Sequence, residues 1–158
     1  MRIGFGYDVH PFESGRRLML GGIEIHGFKG LKGHSDADVL LHALTDALYG
    51  ALALGDIGSH FPDTDPEYKN ADSAKLLAEC YGEIIDRGYE ISNADITVVA
   101  ERPKLQPHIA AIRERIAQLL HCECSRISVK ATTSEKMGFI GREEGVAVHA
   151  VVLIKEAG

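Results

Sequence analysis

The stretch HSDADVLLHALTDALYGALAL, running from His34 to Leu54, decides how the rest of the chain is arranged. Ser35 with Asp38 three positions on has the form of a capping box, in which a hydroxyl and a carboxylate satisfy free N–H groups of a first helical turn. A helix is therefore expected to begin near Ser35. The residues that follow are so densely apolar that this helix must be mostly buried. What precedes it reads as strand: Met1 to His10, then Arg17 to Ile25 broken by Gly21-Gly22. After it, Asp72-Ser73 can cap a second helix through AKLLAECYGEIIDR, stopped by Gly88, with Leu76, Leu77, Ile84 and Ile85 on its buried stripe. Ile96 to Ala100 reads as a strand, and Pro107 suits the first turn of a third helix, HIAAIRERIAQLL. Ile127 to Thr132 and Val146 to Ile154 read as two more strands. This order predicts an α+β fold of the α/β-sandwich type: a mixed sheet with helices on one face, its other face buried by self-association. No repeat or low-complexity linker interrupts it, so residues 1–158 are expected to form a single domain.

Composition narrows the partners. The chain is 45% apolar, enough for a packed core, and 17 Lys and Arg face 23 Asp and Glu for a net charge of −6. No overall field would draw it to nucleic acid or to an anionic membrane, so a phosphate-bearing ligand must be held by local devices. The longest apolar runs, such as Val146 to Ile154, fall well short of the roughly 20 residues a spanning helix needs. Three cysteines make no disulfide framework, and Cys122-x-Cys124 has neither redox nor zinc-knuckle spacing. The opening MRIGFGYDVHPF has neither signal-peptide nor transit-peptide character. A reducing, intracellular home is expected.

Several residue groups could carry chemistry. Asp8 and His10, two apart on a strand, project from one face and can converge on one ion. His42, alone on an apolar helix, is by itself an ordinary core histidine. Joined to Asp8 and His10 it completes a set suited to Zn²⁺, three protein ligands being the catalytic arrangement rather than the closed structural one. Asp38 and Asp46, at i−4 and i+4, are placed to orient the other ring nitrogen of His42. His34-Ser35, at the expected helix start, could bind phosphate through free N–H groups and the Ser hydroxyl, although plain capping explains Ser35 as well. Thr132-Thr133-Ser134-Glu135 ends a strand and enters the loop KMGFIGREEG, presenting hydroxyls beside a carboxylate. Glu135 is a hard ligand of the kind Mg²⁺ takes together with substrate phosphates. Residues 100–107, AERPKLQP, form a proline-stiffened rim for a base-sized ligand, and Gly55-Asp56-Ile57-Gly58 with FPDTDP at 61–66 could hydrogen-bond a polyol. No Walker loop, GxGxxG or Gly-x-Ser-x-Gly elbow is present.

Taken in order, DVH at 8–10, HSDAD at 34–38, LHALTDALYGALALGDIG at 41–58, FPDTDP at 61–66, PKLQPH at 103–108 and KATTSEKMGFIGR at 130–142 resemble the 2-C-methyl-D-erythritol 2,4-cyclodiphosphate synthase family over the whole chain. The resemblance implies a homotrimer with active sites between subunits. It also implies conversion of 4-diphosphocytidyl-2-C-methyl-D-erythritol 2-phosphate to the cyclic diphosphate and CMP, in non-mevalonate isoprenoid synthesis. By position, Asp8, His10 and His42 match the zinc ligands, and Glu135 the carboxylate that holds Mg²⁺ or Mn²⁺ on the diphosphate. His34 and Thr133 match transition-state stabilisers. Ser35, Asp56, Ile57, Gly58, Phe61, Pro62, Asp63, Thr64 and Asp65 match the phosphate and methylerythritol pocket. Ala100, Pro103, Lys104, Leu105, Gln106 and Thr132 match the cytidine pocket. Phe139 and Arg142 match positions shared between the substrate site and a central cavity that could take an isoprenoid diphosphate. Glu101 stands where Gln is often seen, Leu105 where Met is, and Ser134 and Ile140 where Thr is. A stand-alone synthase, without the cytidylyltransferase domain of fused relatives, is expected. Two other functions use the same residues: a metal-dependent phosphohydrolase giving a linear product, and a trimeric module that binds an isoprenoid diphosphate without turnover.

Overall fold

In the computed structural model, which describes residues 1–158, the chain opens with a long strand, β1 (Arg2–Glu13), that lies directly under the first helix, α1 (Val39–Ala51). Glycine makes this approach possible: a Cβ on Gly4 would sit 1.7 Å from the carbonyl oxygen of Ala47, and one on Gly6 1.9 Å from that of Ala43. Leu40, Leu41, Leu44, Leu48 and Tyr49 are all fully buried, as the apolar density of this helix requires. Its start differs from expectation. Asp38, not Ser35, is the N-cap: its carboxylate accepts from the amides of Leu41 (3.0 Å), Gly21 (2.9 Å) and Gly22 (2.7 Å). Ala37 takes a left-handed backbone, φ 57°, which breaks the helical path between Ser35 and the cap. The capping box therefore does not form, and the positive helix end is taken by a buried carboxylate rather than offered to phosphate at His34-Ser35.

The main sheet is completed by β4 (Gly30–Leu31), β5 (Tyr89–Val99), β6 (Ile127–Thr132) and β7 (Gly145–Glu156), in the order β4-β1-β7-β5-β6. The β5–β6 pair is parallel and the others antiparallel, so the sheet is mixed as expected. A small hairpin, β2 (Leu18–Leu20) and β3 (Ile23–Ile25), folds back onto α4 (Ile109–Leu119), with Gly21 against Ile112 and Gly22 against Arg115. Asp72 caps α3 (Ser73–Asp86), accepting from the amide of Ala74 at 2.9 Å, and Gly88 follows its end at φ 79°. Two one-turn helices, α2 (Ile57–His60) and α5 (Gly138–Gly141), sit in the loops.

Three local expectations are corrected. Strand β5 starts seven residues before Ile96, because a bulge between Ile91 and Asn93 shifts the alternation and puts Ile91 and Ala94 on one face, three positions apart. Ile85 is exposed, and Cys80 and Tyr81 take its place on the buried side of α3. Pro107 lies in a 3₁₀ turn, Gln106–His108, just ahead of α4. The helices cover one sheet face, while the other leaves Ile3 (71%), Phe5 (59%), Tyr7 and Val9 exposed beside their β7 partners Leu153, Val151, His149 and Ala147. No helix is long and apolar enough to cross a membrane.

Candidate metal centre and its surrounding site

Asp8 and His10 project from the helix-covered face of β1 beneath α1, where His42 comes down to meet them. Asp8 Oδ2 lies 2.9 Å from His10 Nε2 and 3.1 Å from His42 Nδ1, and the two ring nitrogens are 3.3 Å apart. The far side of each ring fixes what these atoms present. His10 Nδ1 lies 2.6 Å from the carbonyl of Lys32, which can only accept, so Nδ1 carries the proton and Nε2 a lone pair. The Asp36 carboxylate receives a short hydrogen bond from the Ser73 hydroxyl, so the Ser73 oxygen accepts in turn from His42 Nε2 at 2.8 Å. His42 Nδ1 is thereby left with its lone pair toward Asp8.

Three electron-rich atoms converging this closely need a cation between them. Tetrahedral zinc with bonds of about 2.0–2.1 Å sets neighbouring ligand atoms about 3.3–3.4 Å apart, close to the spacing found. The group can hold a metal ion. In its metal-free form a proton serves instead: burial would raise the Asp8 carboxyl, but hydrogen bonds and charge from His10 and His42 outweigh it and hold Asp8 at about 2. Burial would likewise depress His10, and Asp8 raises it above its usual value.

Neither Asp38 nor Asp46 orients His42, contrary to the sequence reading. Asp38 is consumed as the α1 cap, and Asp46 accepts from the amide of Ile57 at 2.7 Å. Ser73 and Asp36 do the orienting, with the Ser35 hydroxyl 3.1 Å from the same ring nitrogen. Ser73 and His42 are 31 positions apart, in the first turns of two different helices, so no local motif joins them; the Asp72 cap was the one hint that a hydroxyl stood at a helix end.

Around this group His34, Ser35, Ile57, Gly58, Phe61, Pro62 and Asp63 line a cavity of about 330 Å³ with His10 and His42. Tyr68, which the sequence reading did not single out, and Leu76, which it placed in the core stripe of the second helix, complete its wall. Asp56, Thr64 and Asp65 are not in that lining. Asp56 caps α2 through the Ser59 amide (2.8 Å) and hydroxyl (2.7 Å), Asp65 caps a turn through the Glu67 amide, and Thr64 is exposed.

Ala100, Pro103, Lys104, Leu105 and Gln106 form a second cavity, about 250 Å³, with Glu101, Ala131, Thr132 and Thr133. Beside it Thr133 Oγ1 is 3.3 Å from Glu135 Oε1 and 3.2 Å from the Glu135 amide. Phe139 lines a groove with Val9, His10, Pro11 and Gly145, and Arg142 pairs with Glu144 at 3.1 Å. A wider depression of about 710 Å³, lined by Tyr81, Glu114, Cys122 and Arg126 among others, takes in none of the predicted site residues.

The two predicted halves lie at the same end of the sheet, since Val9, Ala147, Val99 and Thr132 are register partners across β1, β7, β5 and β6. They do not share a cavity. Three strand spacings of about 4.8 Å put β1 and β6 roughly 14 Å apart.

A family profile described as the YgbB family matches residues 1–155. A 2-C-methyl-D-erythritol 2,4-cyclodiphosphate synthase of Alcanivorax borkumensis is 61% identical over 155 residues, covering 98% of this chain and 97% of its own. A 2C-methyl-D-erythritol-2,4-cyclodiphosphate synthase solved in its CDP-bound form superposes with a TM-score of 0.90 at 40% identity, covering 98% of this chain and all of that one. The bifunctional IspDF of Campylobacter jejuni superposes with a TM-score of 0.95 at 50% identity; this chain spans 42% of its length.

Proposed function

The chain belongs to the YgbB family, and we infer that it is a 2-C-methyl-D-erythritol 2,4-cyclodiphosphate synthase, acting as one domain in non-mevalonate isoprenoid synthesis. The observation that carries this reading beyond family membership is the convergence of Asp8, His10 and His42 at a cavity lined by the matching His34, Ser35, Ile57, Gly58, Phe61, Pro62 and Asp63. We assign Asp8, His10 and His42 to zinc, and Glu135, with the substrate's diphosphate oxygens, to Mg²⁺ or Mn²⁺. When bound, these ions polarise the reacting phosphoryl group and neutralise charge on the departing CMP.

The rest of the task falls to the chain itself. The substrate's 2-phosphate oxygen is already anionic, so no residue has to remove a proton from it before it displaces CMP at the β-phosphorus. The harder requirement is to fold one anion onto another and keep water out. His34 and Ser35 supply polar contacts in the lining of the cavity, and Thr133 supplies one from the nucleotide side. Ile57, Phe61 and Leu76 give the wall its apolar character, which disfavours a hydrolytic water. The backbone of 100–106 and the side chains of Ala100, Pro103, Lys104, Leu105, Gln106 and Thr132 are assigned to the cytidine, and Thr64, with the turn-capping Asp56 and Asp65, to the methylerythritol loop.

Two half-sites on one chain, separated by about three strand spacings and opening at one sheet end, suit a homotrimer in which each copy's metal half meets a neighbour's nucleotide half. The exposed row of Ile3, Phe5, Tyr7 and Val9 supports burial of this face between copies. Phe139 and Arg142 are assigned to the centre of that assembly, with an isoprenoid diphosphate as candidate ligand. The Alcanivorax borkumensis relative is bacterial, and we place the enzyme in the cytoplasm. Incubating the zinc-loaded protein and Mg²⁺ with 4-diphosphocytidyl-2-C-methyl-D-erythritol 2-phosphate, followed by ³¹P NMR, should yield a cyclic diphosphate in step with CMP. Linear phosphates would make it a hydrolase, and unreacted substrate a binding module.

A further inference from the structure

Glu101 belongs to the loop that leaves β5, yet its carboxylate bonds to a different segment. Its Oε1 accepts from the backbone amides of Ser134 at 3.1 Å and Lys136 at 3.0 Å, more than thirty positions away. The turn it holds is an unusual one, because Glu135 (φ 54°) and Lys136 (φ 62°) are both left-handed and neither is glycine. Other contacts brace the same turn from below. The Met137 amide donates to the Ser134 carbonyl at 3.0 Å, and the Ser134 hydroxyl donates to the Met137 carbonyl at 2.7 Å. Gly141 closes against it so tightly that a Cβ there would lie 2.1 Å from the Lys136 carbonyl carbon. The Glu135 amide turns to Thr133 Oγ1 at 3.2 Å, and the amides on either side of it, Ser134 and Lys136, rest on the single oxygen of Glu101.

We propose that Glu101 is a positioning residue, whose Oε1 sets the 134–136 turn and so presents the Glu135 carboxylate and the Thr133 hydroxyl together. It acts through the turn and not on substrate, tying the nucleotide loop to the loop assigned to the divalent ion. The consequence for that ion rests on the assignment of Glu135 made above. The geometry also says which chemistry the position needs. Both amides converge on one oxygen, so a neutral side-chain carbonyl can replace the carboxylate, whereas removal of the oxygen leaves two donors without a partner.

The test compares full-length, zinc-loaded wild type with Glu101→Gln, Glu101→Ala and Glu135→Gln. Mn²⁺ affinity in the presence of CDP is read from the free-ion EPR signal, and exchange of the Ser134 and Lys136 amides by NMR. Glu101→Ala should weaken Mn²⁺ binding at least tenfold and speed exchange of both amides at least tenfold, with zinc content and melting temperature unchanged. Glu101→Gln should stay within about twofold of wild type in both readouts, since one acceptor oxygen suffices. Unchanged exchange in Glu101→Ala, or a Gln variant as impaired as Ala, would overturn the proposal. Should Glu135→Gln bind Mn²⁺ as wild type does, the ion assignment fails, and amide exchange alone decides the role of Glu101.

Discussion

His10 and His42 each give one ring nitrogen to a fixed partner and turn the other toward Asp8, so the metal group is set before any ion arrives. His42→Ala should abolish both stoichiometric zinc and turnover; retention of both would return His42 to packing. Ser73→Ala removes the acceptor that fixes its tautomer, and zinc affinity measured by chelator competition should fall about 10- to 100-fold. The protonation pattern gives a pH signature with a definite sign. The lowered Asp8 carboxyl contributes stability above its unfolded value of 3.8 that is lost as pH falls toward about 2. The raised His10 contributes stability below 6.5 that is lost as pH rises through its folded value. Metal-free protein should therefore melt highest between these two limits, while acidification through the same range should strip zinc from the loaded protein as protons compete for the ligands. A metal-free melting temperature that keeps rising above neutrality would contradict this. Asp8-x-His10 was legible because strand neighbours two apart share a face. The Asp36–Ser73 support was not, because it exists only where the starts of α1 and α3 meet.

Among the elements, α1 and β1 hold the site, and their contact is set by small residues. Gly6→Ala would drive a Cβ into the Ala43 carbonyl, and urea unfolding should show a loss of about 3 kcal/mol; an unchanged midpoint would mean that α1 is free to shift. Asp38→Ala strips three amides of their acceptor, two of them through fully buried bonds, and should cost about 2–4 kcal/mol, more than an ordinary cap. Most elements could be read in advance because their patterns are local: β6 from Ile127 to Thr132, α3 from its Asp72 cap to Gly88, and the dense apolar run of α1. The misses have physical causes. A bulge hid the first half of β5 by shifting its alternation, and left-handed Ala37 moved the α1 start from Ser35 to Val39. The 100–106 and 132–135 segments, far apart in sequence, are neighbours because β5 and β6 run parallel and end together.

At the scale of the whole molecule, the residues assigned to one reaction gather about two separate cavities on one chain, and the sheet face opposite the helices leaves a row of apolar side chains exposed. Phe5→Asp places a charge in that face and, on the proposed assembly, should shift sedimentation from trimer to monomer with loss of turnover, while leaving zinc binding intact. A monomer that keeps full activity would place the whole reaction on one chain. The shared-site claim is tested most directly by subunit complementation. His42→Ala disables the metal half and Glu135→Gln the nucleotide half. The two variants, carrying different tags, are co-expressed and isolated through both tags, so that every assembly contains both chains. Each such trimer has one interface that joins an intact metal half to an intact nucleotide half, so about one site in three should form cyclic diphosphate and CMP although each parent variant is inactive. Hybrid trimers as inactive as their parents would contradict a site shared between neighbouring copies.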